Sequence, residues 1–416
     1  MKNFMYSIGR KATTAFNRKV NSKLKNKVLD QFIKLIKKNN RVIIKQNSKD
    51  VKFAIKKKLK SNLISRLTID QKKINNICSA IKNVKKLKDP VDVILEKWKR
   101  PNKLIIKRVS IPLGVIGVIF ESRPNVASDI SCLCFKSGNA VILRGGSEAL
   151  NSNKILVSLF RKSLKINKID PNYVQLINKK KRSYVNFMLS NMSNYIDVMI
   201  PRGGKSLVAK VQKLSKVPII GHLEGVCHTY IDKDADLKMA IKVVHNAKLR
   251  NTSICGATET ILMHKKIVKK FCNPILNKLA NNNCKIMGDG YLKKYYKGKL
   301  FIAKEKDWSR EYLNATVSVK CVKNLESAIE HINTYGTMHT DSIITKNKKS
   351  ANKFLKNVKS SIAIHNSSTQ FADGAEFGFG GEVGISTNKL PPRGPVGLEQ
   401  LVSYKYEVFG KGQIRK

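Results

Sequence analysis

The chain has 416 residues, 42% of them apolar, which suffices for two or three domains with a large core and disfavours wholesale disorder. Its 81 Lys and Arg against 28 Asp and Glu give a formal charge of +53, which would attract nucleic acid, anionic membrane or anionic metabolites. No apolar run reaches the roughly 18 residues of a membrane span, and the eight cysteines show no regular spacing.

The positive charge is spread along the whole chain. A nucleic-acid groove would instead interleave basic and aromatic residues on one face. The even spread of charge therefore favours the interpretation that the excess of lysine is compositional drift without a function. A basic nucleic-acid-binding protein is the alternative to an enzyme. With no secretory signal and no disulfide framework, the expected location is the reducing cytoplasm, without a membrane partner.

The first part of the chain, residues 1–95, carries apolar residues at helical spacing and predicts a helical region. Apolar runs at 104–106 and 109–111 then predict a hairpin arm. From residue 115 the pattern alternates between strands and helices, with a helix after Asn125, and strands at 115–120, 140–143, 173–177, 196–200 and 217–220. This rhythm predicts a mostly parallel sheet with binding loops at the carboxyl ends of its strands.

A second unit of alternating elements begins near Val226. Its predicted elements are strands at 229–231 and 260–263, a helix over 234–248, and a strand-helix-strand segment over 317–345. The glycine-rich stretch 374–384, interspersed with phenylalanines, resembles a loop wrapped around a ligand more than a set of plain turns. An edge strand is predicted at 404–408.

Two glycine turns follow strands of the first sheet. Arg144-Gly145-Gly146-Ser147 places a guanidinium and bare backbone where a ribose phosphate would suit them, but no GxGxxG fingerprint accompanies it. Arg202-Gly203-Gly204 lacks the earlier glycine of a P-loop, since that position is Met199. It can present N–H groups to an anion, and a tight structural turn is about as well supported.

Cys255 lies in the polar segment 246–260, with Lys248 and Arg250 nearby in sequence. A packing cysteine more usually sits within an apolar run, whereas a reactive thiolate needs positive charge or N–H groups and access to substrate. Cys255 is therefore a candidate nucleophile, with an ordinary free cysteine as the alternative. Cys132 and Cys134 favour core packing, and Cys227-His228 favours a structural role over a metal site or dyad.

Taken together, these segments resemble the γ-glutamyl phosphate reductases (glutamate-5-semialdehyde dehydrogenases), a branch of the aldehyde dehydrogenase superfamily. The matching segments keep their order and spacing along the chain, and they are 111–126, 138–146, 200–204, 225–228, 246–260, 339–341, 371–374 and 393–399. The resemblance implies an aldehyde dehydrogenase-like α/β fold with two Rossmann-like domains and a small β arm for oligomerisation.

The resemblance also implies a reaction, in which NADPH reduces L-glutamyl 5-phosphate to L-glutamate 5-semialdehyde and phosphate through a Cys255 thioester. This is the second step of proline synthesis from glutamate. A homo-oligomer is expected, functional coupling to a separate glutamate kinase is allowed, and no metal is implied. The alternatives are an aldehyde-oxidising dehydrogenase, a nucleic-acid-binding protein or an inactive scaffold. Oxidising relatives place a glutamate base at about Gly221, so its absence here favours reduction.

The resemblance assigns roles to residues at matching positions. Cys255 is the nucleophile, and Asn125 with the Cys255 backbone N–H would hold the oxyanion. The cofactor-binding residues would be Arg144, which could pair with the NADP 2′-phosphate, together with Gly145, Gly146, Ser147, Arg202, Gly203, Gly204 and Glu311. The substrate would be surrounded by Arg123, Phe371, Asp373, Gly374 and Arg393.

The implied domains are an NADPH-binding domain over 1–225 plus about 363–394, a catalytic domain over 226–362, and an oligomerisation arm formed by 97–113 and 395–416. Two positions depart from the family pattern. Gly256 stands where the family usually has Asn, and Pro391-Pro392 stands where it has His-Ala. Neither change removes a group that the mechanism requires.

Overall fold

The computed structural model describes residues 1–59, 61–121 and 123–415, so positions 60, 122 and 416 of the predicted domains lie outside the described residues. The helices are Lys2–Phe16 (α1), Ser22–Lys38 (α2), Asn40–Lys56 (α3), Ser61–Leu67 (α4), Gln71–Lys86 (α5), Asn125–Lys136 (α6), Leu150–Ile166 (α7), Ser183–Asn191 (α8), Lys205–Leu214 (α9), Leu237–Leu249 (α10), Val268–Ala280 (α11), Leu325–Tyr335 (α12) and Lys348–Asn357 (α13).

The strands are Ile94–Lys99 (β1), Ile105–Pro112 (β2), Val115–Phe120 (β3), Ala140–Gly145 (β4), Val174–Leu176 (β5), Val198–Arg202 (β6), Cys227–Ile231 (β7), Thr258–His264 (β8), Lys285–Gly288 (β9), Phe301–Ile302 (β10), Thr316–Val322 (β11), Thr340–Ile344 (β12), Ile362–His365 (β13), Gly384–Ser386 (β14), Gly394–Val396 (β15) and Val402–Phe409 (β16). Within the described residues, no helix is both long and apolar enough to cross a membrane.

The chain divides into two compact units. The first comprises Met1–Gly221, Gly378–Gly384 and Val396–Lys416, and the second comprises His222–Phe377 and Ile385–Pro395. This division falls close to the predicted boundary after residue 225. The stretch that we predicted as the returning part of the first domain, 363–394, is shared between the two units.

The first unit contains a parallel sheet with strand order β5-β4-β3-β6. β3 and β4 are continuous apolar runs buried on both faces, as expected for parallel strands covered by helices. The core joins them to apolar residues of α1, α2, α5, α6 and α7. A separate antiparallel sheet has the strand order β1-β2-β16, and β16 is an edge strand as predicted. The two apolar runs of the predicted hairpin arm, 104–106 and 109–111, both lie in or beside the single strand β2, and the strand that forms the hairpin with it is β1.

The strand predicted at 217–220 is wrong. An isolated parallel bridge between Met199 and Ile219 is what forms there. The segment makes two backbone hydrogen bonds to Met199, whose N–H donates to the Pro218 carbonyl and whose carbonyl accepts from Ile220. Pro218 has no N–H to donate to a ladder, and this keeps the pairing short.

The second unit is built on a parallel sheet with strand order β10-β9-β11-β8-β7-β12-β13. One face packs on an apolar cluster that includes residues of α10 and α11, and another cluster includes residues of α12 and α13. Both units are therefore α/β with parallel sheets, which confirms the predicted fold class. The middle of the second sheet, β8-β7-β12, contains the strands that follow the candidate nucleophile loop and its neighbours.

A buried ion pair joins α10 to β8 in this unit. Lys248 near the end of α10 and Glu259 in β8 are both fully buried, and the Lys248 Nζ donates to Glu259. Glu259 also accepts the N–H of Leu313 at 3.1 Å. Burial raises the pKa of Glu259 to about 7, although the Lys248 charge acts in the opposite direction.

Replacing one partner of this pair is expected to be far more destructive than replacing both. Glu259→Leu leaves the Lys248 ammonium buried without a counter-charge and should lower the free energy of unfolding by about 3–5 kcal/mol. The double variant Lys248→Met/Glu259→Leu removes both charges and should recover most of that loss. Guanidinium unfolding of the wild type and both variants measures the difference, and a single variant within about 1 kcal/mol of the wild type would contradict the assignment.

Candidate active site

Cys255 lies at the amino ends of neighbouring parallel strands in the second unit. It is half-buried in the loop that joins α10 to β8. β7 lies between β8 and β12 in the sheet, so the segments that enter these three strands meet at one edge. This edge collects Gly225 and Cys227 before and at the start of β7, and His339 before β12.

The closest approach at this edge is between Gly225 and Cys255. A Cβ on Gly225 would lie 2.7 Å from the Cys255 Cβ and closer still to the Cys255 carbonyl oxygen, so a side chain cannot be accommodated there. The Gly225 N–H donates to the Glu311 carboxylate at 2.9 Å. The structure therefore brings together two of the predicted residues, Cys255 and Glu311, through a glycine that sequence reasoning did not single out.

Cys227 holds the Cys255 backbone through a hydrogen bond. Its Sγ donates to the Cys255 carbonyl at 3.1 Å and lies 3.5 Å from the Nδ1 of His339. Burial raises the pKa of Cys227 well above its ordinary value, which keeps it a protonated donor. The structural role predicted for Cys227 agrees with this contact, and Cys255 is the more exposed of the two thiols.

The neighbouring His228 is likewise structural. It is fully buried, and both its backbone N–H and its Nδ1 contact the Asp341 carboxylate, at 2.7 and 2.8 Å. Asp341 also accepts from the Ser360 hydroxyl. This network ties β7 to β12 and fixes the relative placement of the segments that precede them.

The segment Ser368–Gly374, which contains three predicted substrate residues, passes beside the Cys255 loop. Thr369 bonds Thr258 at 3.0 Å between their hydroxyls, and Ala372 lies in an apolar cluster packed against Cys255. A Cβ on Gly256 would lie 3.2 Å from the Thr369 carbonyl oxygen, so this glycine allows a close approach. The three predicted substrate residues come next along the chain. Phe371 is exposed. Asp373 accepts the N–H groups of Ala375 and Glu376, which follow Gly374.

Arg393 is exposed in the second unit and is committed to neighbouring backbone and hydroxyl groups. Its guanidinium donates to the Ser361 hydroxyl at 3.1 Å and to the Lys359 carbonyl. Ser361 precedes Ile362, which belongs to the cluster that packs on Cys255. Arg393 is thus linked to the site through β13, and its contact with a substrate stays a prediction.

Lys248 and Arg250, the two cations that precede Cys255 in sequence, are bound to other side chains. Lys248 is fully buried and paired with Glu259. Arg250 donates through Nε to Gln370 at 2.9 Å, and the Gln370 amide in turn donates to the carbonyls of Asn246 and Ala247. Both cations therefore hold the loop in shape.

In the first unit, Arg144 occupies the carboxyl end of β4. Its guanidinium donates to the carbonyls of Gly145 and Lys180, and its buried Nε has no hydrogen-bond partner. Burial lowers the pKa of Arg144. A Cβ on Gly145 would lie 2.9 Å from the Phe120 ring, so this glycine serves packing, and Gly146 precedes a short 3-10 turn that begins at Ser147.

Arg202 and its glycine turn lie at the carboxyl end of β6, before α9. The turn already holds an anion from the chain itself, because the Gly204 N–H donates to the Glu121 carboxylate at 3.0 Å. Glu121 also lies where a Cβ on Gly203 would be. Arg202 forms an ion pair with Glu382 at 3.2 Å. A carboxylate at this position is what the first turn of a helix attracts, so the turn suits anions.

Asn125, the predicted oxyanion donor, is the first residue of α6. Its Nδ2 donates to the Asp129 carboxylate one turn later at 3.0 Å. Burial raises the pKa of Asp129 to about 6, against the lowering effects of the Asn125 hydrogen bond and the Arg202 charge. Arg123 is half-buried just before this helix, and its contact with a substrate stays a prediction.

Known proteins resemble the whole chain. A sequence model of the aldehyde dehydrogenase family matches residues 6–318. The γ-glutamyl phosphate reductase of Bartonella quintana is 45% identical over 413 residues, covering 99% of this chain and 100% of that protein. The one from Brucella suis is 44% identical over 413 residues, covering 99% and 98%. The crystal structure of γ-glutamyl phosphate reductase from Thermotoga maritima matches with a TM-score of 0.96 at 38% identity, covering 99% and 100%.

The chain therefore belongs to the aldehyde dehydrogenase family. An acetylating aldehyde dehydrogenase from Geobacillus thermoglucosidasius, at 14% identity and a TM-score of 0.70, shares the fold alone. Within the family, the three relatives just named, at 38–45% identity, are γ-glutamyl phosphate reductases. The predicted aldehyde dehydrogenase-like fold and the predicted resemblance to this branch are both confirmed.

The close contact at Gly225 generates a test. Gly225→Ala should push the Cys255 loop away from β7 and lower kcat at least tenfold, since overpacking of this kind typically costs about 1–3 kcal/mol. Gly290→Ala is the matched control, because no heavy atom lies within 4 Å of a Cβ built there. Enzyme turnover and the alkylation rate of Cys255, followed by peptide mass spectrometry, measure the effect. Equal behaviour of the two variants would refute the constraint.

Asp129 generates a second test, on pH. Its pKa is about 4 in an unfolded chain and about 6 in the folded protein. The protonated carboxyl thus contributes stability that is fully present below pH 4 and is lost as the pH rises through 6. Relative to Asp129→Asn, the wild type should lose about 2 kcal/mol between pH 4 and pH 7. Urea unfolding at pH 4, 5, 6 and 7 measures this difference, and identical pH slopes would show that the carboxyl is not perturbed.

Proposed function

We propose that the protein is an NADPH-dependent reductase of L-glutamyl 5-phosphate, which it converts to L-glutamate 5-semialdehyde and phosphate in the second step of proline synthesis from glutamate. The observation that carries the proposal is the half-buried Cys255, packed against Gly225, whose N–H is bound by Glu311. This arrangement occurs in a chain 45% identical along its length to a γ-glutamyl phosphate reductase.

Cys255 is the proposed nucleophile. Its thiolate attacks the carbonyl carbon of the acyl phosphate, the C–O bond to phosphate breaks, and phosphate leaves with the electron pair, which gives a thioester. The proposed oxyanion donors are the Cys255 backbone N–H and the Asn125 amide, each worth about 3 kcal/mol. The Asn125 amide nitrogen carries two hydrogens, and Asp129 accepts one of them, so the carboxylate orients the amide that would donate the other.

The first unit carries groups that suit the phosphates of a dinucleotide. Arg144 has a buried Nε without a partner, and the Gly204 N–H already binds a carboxylate, so both can exchange their present contacts for phosphate oxygens. In the second unit, the Glu311 carboxylate is the proposed acceptor for ribose hydroxyls. Family members use NAD or NADP, and the Arg144 guanidinium supports NADPH. When bound, the cofactor supplies a hydride to the acyl carbon.

Reduction is favoured over aldehyde oxidation by the carboxylates around the site. An oxidising enzyme must hydrolyse the thioester and therefore needs a base that activates water. The position where oxidising relatives carry that base is Gly221 here. Glu259, the acid nearest to Cys255 in sequence, is ion-paired with Lys248 and buried.

We also propose that the protein forms a homo-oligomer through the sheet β1-β2-β16. Apolar side chains stand exposed on its edge strands, including Ile94, Leu95, Tyr406, Val408 and Phe409. Exposed apolar patches of this kind mark association surfaces in soluble proteins. Functional coupling to a separate glutamate kinase would fit a labile acyl phosphate, which loses yield if it diffuses through water.

The reaction can be tested in reverse with the full-length protein, pyrroline-5-carboxylate (in equilibrium with the semialdehyde), phosphate and NADP. NADPH formation followed by absorbance should require phosphate and should fall at least a thousandfold in Cys255→Ala, because no other group can carry the acyl chain. Cys321→Ser, at another half-buried thiol in the same unit, is the control and should keep wild-type turnover.

Two outcomes would reject the proposal. Turnover of the same size without phosphate would indicate an aldehyde-oxidising dehydrogenase. Complete lack of turnover together with salt-sensitive RNA binding would favour the basic nucleic-acid-binding alternative.

A further inference from the structure

Two histidines converge on the candidate nucleophile. The side-chain ligand atoms of His222, Cys255 and His339 all lie within 4.8 Å of one another, and all three residues belong to the second unit. The two imidazole rings pack edge to face, with their centroids 4.7 Å apart. Neither histidine has a role in the thioester chemistry described above.

The hydrogen bonds of His222 define which of its nitrogens carries a lone pair. Its Nδ1 lies 2.7 Å from the Ile385 carbonyl oxygen. A carbonyl only accepts, so Nδ1 must carry the proton, and in the neutral ring the lone pair is then on Nε2. An Nδ1–H bonded to a backbone carbonyl is also the arrangement by which proteins orient metal-binding imidazoles.

His339 supplies a second and independent indication of a ligand. The ring is fully buried, and its Nδ1 contacts the Thr340 hydroxyl at 2.9 Å. Its Nε2 is buried without any hydrogen-bond partner. An unpaired buried nitrogen normally costs about 1–3 kcal/mol, and a metal ion bound by this cluster would supply the missing partner.

We propose that Cys255, His222 and His339 form a binding site for a thiophilic divalent cation, with Zn²⁺ as the best match. One thiolate and two imidazoles are ligands that Zn²⁺ prefers, and three protein ligands leave a fourth position open to solvent. Zinc bonds of about 2.0–2.3 Å place tetrahedral ligands about 3.3–3.8 Å apart. The three ligand atoms lie within 4.8 Å of one another, so binding would draw them together by at most about 1.5 Å.

In the binding step, the Cys255 sulfur exchanges its bond to hydrogen for a bond to zinc. The Cys255 S–H bond breaks, its proton goes to solvent, and an S–Zn bond forms with no change in oxidation state. The functional consequence rests on the proposed function: a thiolate bound to zinc cannot attack an acyl phosphate, so Zn²⁺ would be a reversible inhibitor. The same bond would shield the thiol from alkylation and oxidation.

The large positive charge of the chain does not oppose this site strongly. Exposed charges are screened beyond about 8 Å at physiological ionic strength. The two cations nearest to Cys255 in sequence are committed, because Lys248 pairs with Glu259 and Arg250 donates to Gln370. The thiolate itself neutralises one of the two charges on the metal.

Binding can be measured on the resting full-length protein, reduced and freed of metal with a chelator. Titration with Co²⁺, a spectroscopic substitute for Zn²⁺, should give a thiolate-to-cobalt charge-transfer band that saturates at one equivalent, and excess Zn²⁺ should remove it. Cys255→Ser should abolish the band. His222→Asn and His339→Asn should each weaken Co²⁺ binding at least tenfold.

Matched controls separate the site from ordinary thiol or imidazole binding. Cys321→Ser alters another half-buried thiol, and His365→Asn alters an exposed imidazole of the same unit, and both should bind Co²⁺ as the wild type does. Because His339 is fully buried, its variant is compared only after far-UV circular dichroism and thermal unfolding show a folded protein. The half-buried His222 gives the decisive variant if His339→Asn does not fold.

The outcomes for the metal site and for the reductase are distinguishable. A cobalt band in a protein without phosphate-dependent turnover would support the site and reject the proposed function. Turnover without a cobalt band, or with Zn²⁺ inhibition unchanged in His222→Asn, would overturn the site, because the thiol alone would then account for any zinc effect.

Discussion

The contact between the Gly225 backbone and Cys255 is the constraint on which the candidate site depends. It exists because β7 and β8 are adjacent parallel strands, whose entering segments must meet at one edge. The pairing is irregular at this point, since Cys227 faces Thr258 and the next residue, His228, already faces Thr260. Glu259 is thus the extra residue, and bulges of this kind redirect a side chain. Here the redirected carboxylate meets Lys248 and the Leu313 N–H.

The same geometry explains how residues distant in sequence come to share one site. Gly225 has no side chain, so its N–H is open to the Glu311 carboxylate while its Cα lies against the thiol loop. Glu259 bonds Leu313, two residues beyond Glu311, and so supports that segment from the other side. Beside the loop, Thr369 bonds Thr258 and fixes the start of the segment that contains the predicted substrate residues. Cys255, Glu311 and the segment 368–374 are therefore positioned by contacts made in, or just before, two adjoining strands.

Much of the fold and part of the site could be predicted from the sequence, because they depend on local pattern. The apolar runs of β3 and β4, the helix that begins at Asn125, and the polar loop around Cys255 are all readable from neighbouring residues. The partners of the charged groups could not be predicted from neighbouring residues. Glu121 fills the Gly203-Gly204 turn from 83 positions away, and a turn that seemed vacant in sequence already holds a carboxylate.

The histidines near Cys255 likewise could not be predicted from the local sequence pattern. His222 and His339 converge on Cys255 from the segments before β7 and β12, which only the strand order brings together. In the predicted elements, His222 precedes the strand at 229–231 and His339 lies inside the strand-helix-strand segment 317–345, and neither position indicates a shared site. The expectation that binding loops lie at the carboxyl ends of strands suits Arg144 and Arg202, whereas Cys255 lies at the amino ends of its sheet. Periodicity gives strands and helices, but it does not say which edge of a sheet carries the chemistry.

The distribution of charge supports compositional drift over a nucleic-acid function. The chain has only 28 acidic residues, and four of those near the predicted site residues have a defined partner. Glu259 pairs with Lys248, Glu382 with Arg202, Asp341 with His228 and Asp129 with Asn125. These four acids are thus held by contacts within the fold. A groove for a polyanion would gather basic and aromatic residues on one face, whereas the lysines of this chain are spread along its whole length, so their charge gives no sign of a polyanion ligand.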